Sequence, residues 1–150
     1  MRGLLMAALM LVAPATMAGT YPVDDSASTV LAPSVNMKWD DGAPRAGQRA
    51  TVSGKLGVIV RLNVAQWKGK VGKIYMKLPP QAIGTVHTSW TTRGKLLPGT
   101  LRDGERTLVY AGAITDTQIE DTILLLIQAD GNRLFKTEQL HFSFEIDTQP

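Results

Sequence analysis

The chain is 150 residues long with no cysteine, so disulfides, a thiol nucleophile and thiolate metal sites are excluded. Its sixteen basic and thirteen acidic residues leave a formal charge of +3, and the basic residues are scattered along the chain. That distribution reads as a solvated face, with an anionic partner as the minority reading and no nucleic acid expected.

The chain opens with Met1-Arg2-Gly3, continues with the apolar run Leu4 to Val12, and passes through Ala13-Pro14-Ala15-Thr16-Met17-Ala18. Basic, apolar and small-residue regions in that order predict a cleavable secretory signal over residues 1–18. The run is shorter than the ~20 residues of a membrane-spanning helix, and Pro14 interrupts it. Export is the expected fate, and residues 19–150 have the size of one domain.

Past the signal, Gly19 to Leu31 predicts a polar, extended tail in which Tyr21, Val23, Ala27, Thr29 and Leu31 share one parity, broken by Asp25. Val35, Met37 and Trp39 alternate with Asn36 and Lys38, which predicts a strand over Ser34 to Trp39 with Trp39 in the core. Asp40-Asp41-Gly42-Ala43-Pro44 then makes a turn. Ala50 to Val64 carries Val52, Leu56, Val58, Val60, Leu62 and Val64 on one parity, with a bend expected at Ser53-Gly54. Trp67 beside Lys68, Lys70 and Lys73 is the more exposed tryptophan on this reading and a possible ligand contact, since indole stacks on apolar ligand faces.

Lys73 to Leu78 is a strand that Pro79-Pro80 ends, because proline cannot donate to a ladder. Val86 to Thr92, Arg106 to Ala113 and Asp121 to Ala129 follow, the last with the continuous apolar run Ile123 to Ile127 of a doubly covered strand. Asp130-Gly131-Asn132 predicts a turn. Glu138 to Asp147 alternates Leu140, Phe142, Phe144 and Ile146 against His141, Ser143, Glu145 and Asp147. About seven short strands and no helical stripe predict an all-β fold, a sandwich of immunoglobulin-like type or a small barrel.

Catalytic chemistry finds little footing. His87 and His141 are the only histidines, and no Gly-x-Ser-x-Gly elbow occurs. Asp24-Asp25, Asp40-Asp41 and Glu120-Asp121 are pairs without a third metal ligand nearby. Gly54, Gly69 and Gly72 precede no helix, as a phosphate loop requires. The expectation is no enzyme, no cofactor and no metal.

Thr29-Val30-Leu31-Ala32-Pro33-Ser34-Val35-Asn36-Met37-Lys38-Trp39 followed by Asp41-Gly42-Ala43-Pro44 resembles the chaperone-usher fimbrial subunits, in particular the branch forming thin, capsule-like or polyadhesive fibres. Gly54-Lys55-Leu56-Gly57-Val58 and the final alternating strand with its short polar tail fit the same plan. The resemblance implies an incomplete immunoglobulin-like β-sandwich of six strands plus an N-terminal donor strand. Residues 19–33 would be the donor extension and 34–150 the pilin domain.

It further implies that Tyr21, Val23, Ala27, Thr29 and Leu31 fill a neighbour's groove whose edge is Leu140, Phe142, Phe144 and Ile146. Strand addition of this kind combines main-chain hydrogen bonds with alternate side chains in pockets. The partners implied are neighbouring subunits, a periplasmic chaperone, an outer-membrane usher and a host surface receptor, with the fibre at the cell surface. The alternative is a self-contained periplasmic or secreted β-sandwich binding protein. A third reading, a small exported hydrolase, would show itself by His87 or His141 meeting a serine and a carboxylate in one cleft.

Overall fold

The computed structural model describes residues 19–32, 34–40, 50–133 and 139–149. The expected signal at 1–18, most of the turn at 40–44, Pro33 and Glu138 lie outside these residues.

Alternating side chains set the two longest strands. β4 (Thr51–Asn63) and β9 (Gln118–Asp130) pair antiparallel along their whole length, from Thr51 opposite Asp130 to Asn63 opposite Gln118. Val52, Val60 and Leu62 on one strand and Ile119, Ile123, Leu125 and Ile127 on the other turn to the same buried side. Around this pair lie β1 (Gly19–Val23), β2 (Thr29–Val30), β3 (Lys38–Trp39), β5 (Val71–Lys77), β6 (His87–Thr92), β7 (Gly99–Arg102), β8 (Arg106–Ala113) and β10 (Ser143–Thr148). A single 3-10 turn, Ala65–Trp67, is the only helical element among the described residues.

The strands form two antiparallel sheets, one ordered β1-β10-β5-β8 and one ordered β2-β4-β9-β6-β7 with β3 also against β4. Ile74, Met76, Val109, Phe144 and Ile146 from the first sheet share one buried cluster with Val60, Leu62, Trp90, Leu101 and Leu125 from the second. An apolar face on each sheet covered by the other is the arrangement of a β-sandwich.

Several expectations need correcting. β4 runs through Ser53-Gly54 without the predicted bend. Gly54 is needed for a close approach instead, since a Cβ there would stand 2.7 Å from Met37 Sδ. Of Ser34 to Trp39 only Lys38 and Trp39 pair, against Ser53 and Val52. Trp39, expected in the core, is 39% exposed, while Trp67, expected at the surface, is 5% exposed. The 3-10 turn causes the second reversal by carrying Trp67 back under the sandwich, where its backbone N–H bonds Val64 O at 3.0 Å. The last strand is shorter than Glu138 to Asp147 and begins at Ser143.

Candidate functional site

The edge of the first sheet, where the two ends of the described chain meet, is the candidate site. β1 pairs antiparallel with β10: Gly19 opposite Thr148, Tyr21 opposite Ile146 and Val23 opposite Phe144. β10 is in turn held by β5, with Phe144 opposite Met76 and Ile146 opposite Ile74. β10 therefore lies between β5 on one side and the N-terminal strand on the other.

Parity decides what β1 contributes. Gly19, Tyr21 and Val23 lie toward the interior and Thr20 and Pro22 away from it. Only Val23 is buried among the five. Tyr21 stays 40% exposed, its ring 6.4 Å from that of Trp67. Pro22 lacks an N–H, which suits a strand at a sheet edge. Beneath, Phe144 and Ile146 are buried, and Ile146 packs so closely on Gly72 that a Cβ there would stand 2.8 Å from Ile146 Cδ1.

On the outward face the strands are tied by charge. Arg106 of β8 reaches across β5, its guanidinium 4.0 Å from the centre of the Tyr75 ring, to Glu145 at 3.0 Å and Asp147 at 3.1 Å. Lys77 adds a 3.1 Å contact to Glu145. The Thr20 hydroxyl donates to Asp147 Oδ1 at 2.6 Å, extending the network to β1. Arg106 first and Thr20 second hold the Asp147 carboxyl below the usual carboxylate range.

The chain leaves this sheet immediately after Val23. Asp24 O accepts the Asn63 N–H at 2.9 Å, and Asp24 Oδ1 accepts the Ser26 N–H at 2.9 Å. Ser28 N–H bonds Asp25 O at 2.9 Å, closing a turn, and burial raises the Asp25 carboxyl above its ordinary value. Arg61 then fastens the segment to β4, donating to Ala27 O at 3.0 Å and Thr29 Oγ1 at 3.1 Å while also reaching Glu120 at 3.1 Å.

The expected donor residues are thus divided. Tyr21 and Val23 lie on β1 beside β10 of the same chain. Ala27, Thr29 and Leu31 lie along β4, Thr29 opposite Ile59 and Leu31 N–H bonded to Gly57 O at 2.9 Å. Of the expected groove edge, Phe144 and Ile146 are paired with β1, and Leu140 and Phe142 are partly buried against the core ahead of β10.

Trp67 is buried while Lys68, Lys70 and Lys73 are exposed, so its ring offers no open stacking face beside them. His87 and His141 are both exposed, the first on β6 and the second in the segment that precedes β10. Among the described residues no three His, Cys, Asp or Glu side chains gather as a metal site, and no helix is long and apolar enough to cross a membrane. The cis pairing of β1 was missed because alternation identifies a strand's faces and not its partner. The Val23-Asp24 step from an apolar to an acidic residue is the one signal that could have marked the exit. Comparison with family models, curated proteins and solved structures returns no match.

Proposed function

We propose that the chain is a structural or adhesive subunit of a surface fimbria, exported with a cleaved signal and assembled by exchange of its N-terminal strand. In this reading the immunoglobulin-like sandwich is incomplete without the β1 position, and a neighbouring subunit supplies that strand in the fibre. A periplasmic chaperone and an outer-membrane usher serve the assembly. The supporting observation is that the N-terminal strand completes the first sheet, antiparallel to the C-terminal strand β10, and contributes a single buried side chain. A strand added through backbone bonds and one or two pockets is the physics of strand complementation.

Deletion of Gly19–Val23 tests the reading. The intact chain exported from its native host is expected to give fibres and a polymer ladder on gels without heating. The deleted chain is expected to give neither, and unchanged fibres would remove the proposal.

The alternative, a self-contained β-sandwich binding protein, is favoured by one specific observation. The edge strand comes from the same chain. That reading predicts a monomer at every concentration.

A further inference from the structure

At one end of the second sheet β4 finishes with Arg61 and Asn63 while β9 starts from Gln118, and a cleft of about 270 Å³ opens on their outward side. Leu62 and Ile119 turn inward and are buried, so their neighbours Arg61, Asn63 and Gln118 point away from the core. Asp24 and Ala27, on the turn between β1 and β2, form one wall, and Ala65 and Thr117 complete the lining. Backbone bonds hold the frame: Asn63 N–H to Asp24 O and Val64 N–H to Thr117 O, both at 2.9 Å.

The polar groups of the cleft are oriented by bonds behind them. Asn63 and Gln118 are register partners, which places their side chains next to each other on one face. Asn63 Oδ1 accepts the Ala65 N–H at 3.1 Å, so its amide presents the NH2 group as a donor. Gln118 Nε2 donates to Glu120 Oε2 at 3.2 Å, so its amide presents the carbonyl oxygen as an acceptor. Neither presented group has a hydrogen-bond partner among the described residues.

Arg61 directs Nε to Glu120 and one terminal nitrogen to Ala27 O and Thr29 Oγ1, which leaves its other terminal nitrogen as a further donor. Ser26, through its side chain first and its N–H second, holds the Asp24 carboxyl below its ordinary value. Asp24 is therefore a carboxylate, with acceptor capacity beyond that turn.

We infer that this cleft binds a single neutral sugar ring. A hydroxyl both donates and accepts, so adjacent ring hydroxyls satisfy the Asn63 donor and the Gln118 acceptor together. An anion, which only accepts, would meet the Asp24 carboxylate and the Gln118 carbonyl. An ammonium, which only donates, would leave the Asn63 and Arg61 donors unanswered. The volume lies at the lower end for ligand sites and suits one ring. No aromatic side chain lines the cleft, so hydrogen bonds carry the recognition without stacking and the binding is weak. One chain supplies every lining residue, so the site exists whether the chain assembles or stays a monomer.

The test is an NMR titration of the isotope-labelled exported chain at mildly acidic pH. The probes are the methyl glycosides of glucose, galactose, mannose and N-acetylglucosamine, with glucosamine and glucuronate as cationic and anionic controls. At least one neutral glycoside is expected to shift the Asn63 and Gln118 side-chain NH2 resonances saturably, and both controls to bind more weakly. Asn63→Asp keeps the acceptor for the Ala65 N–H and removes the NH2 donor. Gln118→Met keeps the side-chain length and removes the acceptor. Each substitution should weaken binding about tenfold, the cost of one unanswered hydrogen bond.

Gln118 is exposed, so Gln118→Met decides alone if Asn63→Asp fails to fold. No saturable shift with any neutral glycoside, tighter binding of either charged control, or undiminished affinity in the folded variants would overturn the inference. None of these results bears on strand assembly, which the deletion of Gly19–Val23 tests separately.

Discussion

The Thr20 hydroxyl donates a 2.6 Å hydrogen bond to the Asp147 carboxylate, joining β1 to β10 by side chains as well as backbone. The same carboxylate receives Arg106, and Lys73 of β5 contributes a further favourable charge. Glu145 shares Arg106 and takes Lys77, so protonation of Asp147 weakens the tie of β1 and β8 to β10 together.

The sign of the pH dependence follows. Asp147 has a folded-state pKa below its ordinary value of 3.8, so its contribution is present above 3.8 and is lost as pH falls through the lower folded-state value. Urea midpoints at pH 7 and through the acid range should show the native chain losing stability relative to Asp147→Asn below about pH 4. At pH 7 the variant should be less stable by about 1 kcal/mol. A gap between the two that stays constant with pH would contradict this role.

Val23 anchors β1. It is 6% exposed, and Val23→Ala removes two buried carbons, a loss of about 2 kcal/mol including the cavity left behind. Leu124 is 49% exposed, so Leu124→Ser should change stability by no more than about 0.5 kcal/mol. Chemical denaturation of both variants checks the contrast, and equal costs would contradict it.

Thr88 is 2% exposed on β6, and its Oγ1 has no hydrogen-bond partner among the described residues. Thr88→Val keeps the shape and removes an unpaired buried hydroxyl. It should raise stability by about 1 kcal/mol, visible as a higher melting temperature. A lower melting temperature would show that the hydroxyl has a partner in solution.

Asp121 is 5% exposed on the inward face of β9, where its carboxylate accepts the Leu96 N–H at 3.0 Å and the Arg93 N–H at 3.2 Å. It thereby shapes the loop between β6 and β7. Asp121→Ala leaves those amides unpaired and should cost about 3 kcal/mol, with faster hydrogen exchange at Arg93 and Leu96. Unchanged exchange at both amides would contradict the assignment.

The strand content was legible where period-two alternation was clean. The parity of Val58 to Val64 and of Leu140 to Ile146 marks buried positions correctly at Val60, Leu62, Phe144 and Ile146. The run Ile123 to Ile127 lies on β9, though with Leu124 outward, so only one face of that segment is in the core. Reasoning by parity failed where the chain changes element. Trp67 follows Val64 by a 3-10 turn that breaks the period, and Trp39 closes a segment whose pairing spans two residues. β7 escaped notice because Gly99–Arg102 is short and follows Pro98. The candidate site was half visible: Tyr21 and Val23 carry the alternation of a strand, but its pairing with β10 spans more than a hundred residues of sequence and leaves no local trace.

The most direct measurement uses the chain lacking Gly19–Val23, refolded with and without a synthetic peptide of residues 19–25, and follows hydrogen exchange at Phe144 to Thr148. The account predicts fast exchange along β10 without peptide, protection and a higher melting temperature with it, and no effect from the same peptide carrying Val23→Asp. Slow exchange at β10 without any peptide, or equal protection by both peptides, would contradict the claim that this edge is built to receive that strand.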